Sequence, residues 1–186
     1  MMTFLKKRST AIIIVVIVGV VFTLLGARLS LDRQAAKVEA VFYDGAGGET
    51  AVNTYLDNLF KEAKTVYTVA ANYMDDDSTA GFRAAYNDLY NATGISKKYD
   101  CYARLMSELN GIAAGLDRSE ITLEELQYAD SHINNMRNIS RMIDSSDYNV
   151  RVAEFEKATL GAFPANVLRL IVRPHTPEYF NALREG

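Results

Sequence analysis

The longest apolar stretch of the chain runs from Ala11 to Ala27 and contains no charged residue. As an α-helix it would extend about 25 Å, since each residue adds ~1.5 Å. With the two preceding hydroxyl residues it approaches the ~30 Å hydrocarbon thickness of a bilayer. The basic cluster Lys6–Arg8 precedes it, and basic flanks stay on the cytoplasmic side. The pattern therefore predicts a transmembrane helix over residues 9–27 that contacts the lipid bilayer, with residues 1–8 in the cytoplasm and the C-terminal domain outside.

A cleaved signal peptide is the alternative interpretation of the same stretch. The apolar core of a signal peptide usually holds about 7–15 residues, and small residues precede its cleavage site. Here the apolar run is longer, and a cut after Ala27 would place the bulky Leu25 at the third residue before the cut. These two features favour a retained anchor.

Helical periodicity continues beyond the apolar run, because Arg28 to Phe42 contains neither glycine nor proline. A helix from about Phe4 to Phe42 would then stand off the membrane as a stalk. Three glycines within residues 45–48 end it. No Gly-Lys-Ser/Thr follows them and no strand precedes them, so a flexible turn is favoured over a phosphate-binding loop. Residues 28–48 are predicted to be the stalk helix and this turn.

Apolar residues then recur at spacings of three and four, which is typical of amphipathic helices. The pattern is cleanest in the first such stretch, where it predicts a core-facing stripe: Val52, Leu56, Leu59, Phe60, Ala63, Val66, Tyr67 and Ala70. Similar stretches follow up to Gly161, and none reads as a strand. We therefore predict an all-α fold, in which the N-terminal transmembrane helix precedes an antiparallel bundle of long amphipathic helices over residues 49–161. The number of helices stays open, because the breaks at Asp75 and Ser145 are compatible with kinks or full turns.

Two joints carry specific signals. Three aspartates, Asp75–Asp77, fail the spacing of a calcium-binding EF-hand loop, which needs glycine at its sixth position and glutamate at its twelfth. We predict a solvated turn there, with Asp77 or Ser78 capping the next helix. Thr122 and Glu125 form a capping-box pattern that opens a later helix.

The charge of the chain and its few reactive side chains limit the classes of function that it could have. The chain has 20 basic and 23 acidic residues, and the part beyond the cytoplasmic cluster is more acidic still, which argues against nucleic-acid binding. Cys101 is the single cysteine, so no intramolecular disulfide can form. Neither His132 nor His175 has the preceding Glu-x-x that carboxylate-bridged metal bundles use. We therefore predict no catalytic residues, no metal site and no cofactor.

A motif near the C-terminus resembles the signature of the LemA family. It begins with Tyr148-Asn149, Val152 and Phe155-Glu156, continues through Phe163-Pro164 and Asn166, and ends with Pro177-Glu178-Tyr179-Phe180. The overall plan, a short basic N-terminus followed by one membrane helix and a helical bundle, is similar too. Phe155-Glu156 departs from the family's second Tyr-Asn, and the family's Ala-Trp after the stalk is absent. The resemblance implies a membrane-anchored helical bundle with no established catalytic centre.

The signature also has a physical interpretation. Tyr148, Val152 and Phe155 share one helix face by their spacing, and Phe163 is disfavoured in the α conformation because proline follows it. Asn166 is expected to hydrogen-bond backbone groups at that turn. We interpret the motif as structural first and as an interaction site second, with these residues: Tyr148, Asn149, Val152, Phe155, Phe163, Pro164, Asn166, Pro177, Tyr179 and Phe180.

These features favour a non-enzymatic interaction or scaffold module at the cell envelope, with an unidentified protein partner or self-association as a homo-oligomer. The alternative is an extracytoplasmic sensory domain that signals through a membrane partner, since Val167–Val172 is too short to span a bilayer. An enzyme is the third and least favoured class. For the C-terminal segment, residues 162–186, we expect docking on the bundle, with contact to the membrane surface as the alternative.

Overall fold

The structure is a computed structural model that describes residues 2–181, with side chains from Thr10 onward. The side chains of the basic cluster Lys6–Arg8 and the end of the predicted C-terminal segment, residues 182–186, lie outside the described residues. In chain order the helices are α1 Met2–Asp44, α2 Val52–Tyr73, α3 Asp76–Asn91, α4 Ile95–Leu116, α5 Leu123–Asp144, α6 Tyr148–Phe155, a π-helical turn Glu156–Leu160, and α7 Ala165–Val172. The predicted all-α class is confirmed, and no strand occurs between residues 2 and 181.

Helix α1 is continuous through both the apolar run and the predicted stalk. Within the described residues it is the one helix long and apolar enough to cross a membrane, and its apolar window has no buried residue. Large side chains from Ile12 to Val21 are exposed by 46–70 %. Isoleucine and valine are among the residues most often buried in folded proteins, yet no other part of the chain between residues 10 and 181 covers this stretch.

The described chain forms two compact units, and α1 and α6 contribute residues to both. The first unit contains the chain up to Val38 together with Arg151–Pro177. Its core is built by Leu31 and Ala35 of α1 with Phe155 and Leu160, all at most 7 % exposed. Ala165 and Val172 of α7 pack against this core.

The second unit contains Glu39–Val150 together with residues 178–181. Helices α2 to α5 form the antiparallel bundle, in which α2 packs on α5 and α3 packs on α4. The stripe of α2 is buried as predicted at Val52, Leu56, Leu59, Ala63, Val66 and Ala70. Phe60 and Tyr67, which we placed in the same stripe, are only half-buried. They lie at the edge of the stripe, where their rings contact aromatic residues of α3.

The joints between helices show how the sequence ends and restarts each helix. The break after Tyr73 is a full end, and Asp75 caps α3 by accepting a hydrogen bond from the Ser78 amide at 2.7 Å. The cap we predicted at Asp77 or Ser78 is therefore wrong by two or three residues, because Asp76 and Asp77 already lie in the first turn. Thr122 caps α5 as predicted, with the Glu125 amide donating to the Thr122 hydroxyl at 3.3 Å. That hydroxyl in turn donates to the Glu125 carboxylate at 2.7 Å.

Candidate functional site

The two ends of the signature motif come together in the second unit. Tyr148 and Asn149 begin α6, and both contact residues 178–181, which we call the docked segment. The docked segment is not helical, bends at Phe180 and Asn181, and lies against the last turns of α1 and the first turns of α4. The contact therefore joins parts of the chain that are far apart in sequence.

Tyr148 holds the beginning of the docked segment. Its hydroxyl donates to the carbonyl oxygen of Glu178 at 2.7 Å, and its ring packs edge-on against Phe42 at a centroid distance of 5.4 Å. The side chain is 1 % exposed. Burial, followed by the nearby carboxylate of Glu39, raises the pKa of Tyr148. The phenol therefore stays protonated and remains a hydrogen-bond donor throughout the physiological range.

Asn149 holds the end of the docked segment. Its Oδ1 accepts from the backbone amide of Phe180 at 2.9 Å, and its Nδ2 donates to Oδ1 of Asn181. One amide side chain thus satisfies a donor and an acceptor of the segment, which a carboxylate at this position could not do because it only accepts. This position therefore requires an amide side chain, which both donates and accepts hydrogen bonds.

Phe180 fills the apolar part of the site. It is 4 % exposed, and its ring lies 5.4 Å from Phe42, 5.3 Å from Tyr99 and 5.9 Å from Tyr102 between centroids. Tyr102 in turn shares a 2.6 Å hydrogen bond with the hydroxyl of Ser140. Burial raises the pKa of Tyr102 to about 12. Aromatic rings at these separations attract one another in edge-on or tilted arrangements, so the cluster gives the docked segment its apolar anchor.

Glu178 connects the docked segment to the start of α4. Its carboxylate accepts from the backbone amide of Ser96 at 3.0 Å. The first amides of a helix have no intrahelical partner, and a negative charge there is favourable. The Glu178 amide donates to Oε1 of Glu39 at 3.3 Å. Both the side chain and the backbone of Glu178 therefore hold the docked segment by hydrogen bonds.

The remaining signature residues lie elsewhere. Val152 is fully buried, and Phe155 belongs to the core of the first unit. Pro177 is buried and Tyr179 is half-buried. Phe163 is 83 % exposed, and Pro164 beside it is exposed too.

Asn166 differs from the expectation that its side chain bonds the turn. Its Oδ1 is buried and has no hydrogen-bond partner among the described residues. The turn is closed by the backbone instead, where the Asn166 amide donates to the carbonyl of Ala162 at 2.9 Å. The prediction failed because the helical turn supplies its own acceptor, which leaves the side chain without a capping role.

An aromatic surface on α2 and α3 is a second candidate site, which was not predicted from the sequence. Phe60 stacks on Tyr90 at 4.9 Å, and Tyr86 lies between Phe60 and Tyr67 at 5.6 and 5.5 Å. Tyr90 is 71 % exposed. A groove of about 380 Å³ beside it is lined by Leu56, Asp57, Phe60, Lys61, Leu89, Tyr90 and Lys98. The sequence signal was present in the i, i+4 spacing of Tyr86 and Tyr90, but their packing on Phe60 depends on tertiary structure.

The two histidines and the single cysteine lie in different parts of the structure. His132 Nδ1 lies 2.5 Å from Oε2 of Glu62, and its ring packs edge-on against Tyr128. The backbone amide of His175 donates to Oδ1 of Asp32 at 2.7 Å. Cys101 is buried, which raises the pKa of its thiol. Across the described residues, no group of three or more metal-ligating side chains converges.

Comparisons with known proteins give no match for the chain. No protein-family model matches it, and no curated protein or solved structure is found to be similar to it. The interpretation of the two sites therefore depends on their geometry and on the resemblance of the signature residues.

Proposed function

We propose that the chain is a LemA-like membrane-anchored protein whose helical bundle acts as a non-enzymatic interaction or scaffold module outside the cytoplasmic membrane. The observation that carries this proposal is the uncovered apolar run of α1, in which side chains such as Val16 and Phe22 are exposed by 58 % and 70 %. The hydrocarbon core of a bilayer covers such a helix at no polar cost, since the backbone groups are paired within the helix.

The interaction role is supported by the aromatic surface. Tyrosine and phenylalanine supply large contact areas at low conformational-entropy cost, and aromatic residues are enriched in the energetically dominant parts of protein interfaces. The stacked pair of Phe60 and Tyr90 lies beside a groove with two lysines and one aspartate at its edge, Lys61, Lys98 and Asp57. Such a surface suits a protein partner with an apolar anchor and a polar rim.

The anchor is tested by substituting one valine inside the apolar run and one outside it. Val16 and Val150 are exposed to nearly the same degree, 58 % and 57 %. Arginine near the centre of a transmembrane helix costs about 2.5–3.5 kcal/mol, so Val16→Arg should lower the fraction that stays in membranes after carbonate extraction. Val150→Arg should leave that fraction unchanged. Equal fractions for both variants, or wild-type protein in the supernatant, would contradict the anchor.

The orientation of the protein in the membrane is tested on protoplasts, which are cells without their wall but with an intact cytoplasmic membrane. Protease added outside should degrade the bundle, while a tag fused before Lys6 should survive. Survival of the bundle with loss of the tag would reverse the proposed topology and leave the anchor itself in place.

The partner surface is tested by photo-crosslinking at two exposed tyrosines in the native membrane. A photoreactive phenylalanine at Tyr90, which is 71 % exposed, should form a discrete adduct, and Phe60→Ala should abolish it. The same group at Tyr128, which is 52 % exposed on α5, serves as the control. An adduct at twice the mass of the chain would show that the partner at this surface is a second copy of the protein. Equal labelling at both tyrosines would refute a specific surface here.

One observation favours the sensory alternative as a second candidate. Helix α1 is unbroken from the apolar run to Asp44, so a rotation or shift of its outer end would reach the membrane segment without a flexible joint. Inserting two glycines at Ser30 should abolish such a response and leave partner binding at Tyr90 intact. A scaffold would tolerate this insertion.

A further inference from the structure

Helix α7 is apolar on both of its sides. Ala165 and Val172 pack against the core of the first unit. On the opposite side, given 3.6 residues per turn, lie Val167, Leu170 and Ile171, which are exposed by 51 %, 73 % and 61 %. Asn166 and Arg169 lie between these two sides on one flank of the helix. Helix α7 thus has one apolar side that packs within the first unit and one that is exposed.

Phe163 is a further exposed apolar side chain, next to α7 in the sequence. It precedes α7 by two residues and is 83 % exposed, the largest exposure of any bulky apolar side chain in the described chain. Together the exposed residues Phe163, Val167, Leu170 and Ile171 form what we call the outer face of α7. Contiguous apolar patches of this kind mark contact with a protein or a membrane.

The packing of α7 places it close to the end of the apolar run along α1. The core on which it packs contains Leu31 and Ala35, which follow the end of the apolar run at Ala27 by four and eight residues. At ~1.5 Å per residue this is about 6–12 Å along α1. The His175 amide, just after α7, donates to Asp32 of the same stretch. Interfacial helices lie about 5–10 Å deep at the boundary between headgroups and acyl chains. With α1 anchored as proposed, α7 therefore packs on the part of α1 that leaves that layer.

The charges around α7 fit an anionic lipid surface. Beyond the apolar run, the first unit (residues 28–38 and 151–177) carries seven basic residues against three acidic ones, Asp32, Glu154 and Glu156. The basic residues are Arg28, Arg33, Lys37, Arg151, Lys157, Arg169 and Arg173. The chain as a whole has a net charge of −3, so this basic region stands out from an acidic protein. Basic residues beside a membrane are attracted to anionic headgroups over about a Debye length.

We propose that the outer face of α7 inserts into the surface of the phospholipid bilayer beside the anchor, as a second membrane contact. This inference rests on the proposed anchoring of α1. It divides the C-terminal segment into two parts, since residues 178–181 dock on the bundle while Phe163 and α7 contact lipid. The anchor sets the location of the protein, and α7 fixes how the first unit is held against the membrane surface.

The test uses the full chain in liposomes of phosphatidylethanolamine and phosphatidylglycerol. Single cysteines replace Leu170, Val16 and Tyr128 in separate variants, and each carries an environment-sensitive fluorophore. Cys101 is buried with a raised thiol pKa, so it reacts slowly at neutral pH, because the thiolate is the reactive form. Lipids bearing nitroxide quenchers near the headgroup or deep in the acyl chain report the depth of each label.

The expected result is a blue-shifted label at Leu170→Cys that is quenched most by the shallow nitroxide. The label at Val16→Cys should be quenched most by the deep nitroxide, and the label at Tyr128→Cys by neither. A quenched Val16 label with an unquenched Leu170 label would overturn the inference while the anchor stands. A Leu170 label that is blue-shifted yet unquenched would show a protein cover and would overturn it too. An unquenched Val16 label would remove the anchor and this inference together.

Discussion

Replacing Phe180 with alanine tests whether the docked segment is an integral part of the bundle. The ring is 4 % exposed and touches the rings of Phe42, Tyr99 and Tyr102. Removing a buried phenylalanine side chain costs about 3–5 kcal/mol in protein cores. Because the segment lies near the end of the described chain and can relax or detach, we expect a loss of about 3 kcal/mol in the free energy of unfolding, at the lower end of that range.

The matched control is Phe163→Ala, which deletes the same atoms from a side chain that is 83 % exposed. Exposed substitutions usually change stability by less than about 0.5 kcal/mol. Both variants are unfolded by urea in mild detergent, where the midpoint and slope give the free energy of unfolding. The order of the two effects is the result that matters, since the chemical change is identical.

Hydrogen exchange supplies a local measurement of the same contact. The Phe180 amide donates to Asn149 Oδ1, so it should exchange slowly in the wild type and rapidly in Phe180→Ala and in Asn149→Ala. If Phe180→Ala and Phe163→Ala unfold at the same urea concentration and the Phe180 amide exchanges freely in the wild type, the docked segment is not held as described and the reasoning is refuted.

Three further predictions concern the bundle. Leu59→Asp would bury a carboxylate at a position with 0 % exposure, at a cost of several kcal/mol, so the thermal midpoint should fall far more than for Lys61→Asp at an exposed position of the same helix. Thr122→Ala removes the cap of α5 and should lower the free energy of unfolding by about 1 kcal/mol, whereas an unchanged urea midpoint would show that the cap is not used. The pKa of Tyr102 is raised to about 12 from its ordinary value of 10 by burial, so the folded state holds this proton more tightly. The contribution of Tyr102 to stability should therefore be fully present below pH ~10 and be lost as the pH rises to ~12. Tyr102→Phe should make that loss smaller in urea titrations at a series of pH values, and an identical loss would rule out this origin.

The helices and caps that could be predicted from the sequence are those that depend on the spacing of neighbouring residues. The apolar run, the stripe from Val52 to Ala70 and the Thr122–Glu125 box each depend on residues within a few turns of one another. The cap of α3 was misplaced because several adjacent residues from Asp75 onward can all cap a helix. Which of them leaves the helical conformation depends on where α2 ends, and that is decided by its packing.

The docked segment could be anticipated only in outline. Docking of the C-terminal segment on the bundle was expected, but the partners of Phe180 come from the ends of two helices, at Phe42 and at Tyr99 and Tyr102. No periodicity links these positions, since contacts over such sequence separations follow from topology. The aromatic surface was missed for the same reason, because Tyr90 packs on Phe60 across two helices.

A structural interpretation of the signature accounts for some of its residues and not for others, of which Phe163 is the most exposed. Tyr148 and Asn149 hold the docked segment by hydrogen bonds, and Phe155 builds the core of the first unit. Phe163 does none of these things, since it is 83 % exposed. A large aromatic side chain that stabilises no core costs solubility unless something covers it. Phe163 precedes the exposed residues of α7, and α7 packs on the residues of α1 that follow the apolar run. These two features together are the reason why we propose the bilayer surface as the cover of Phe163 and α7.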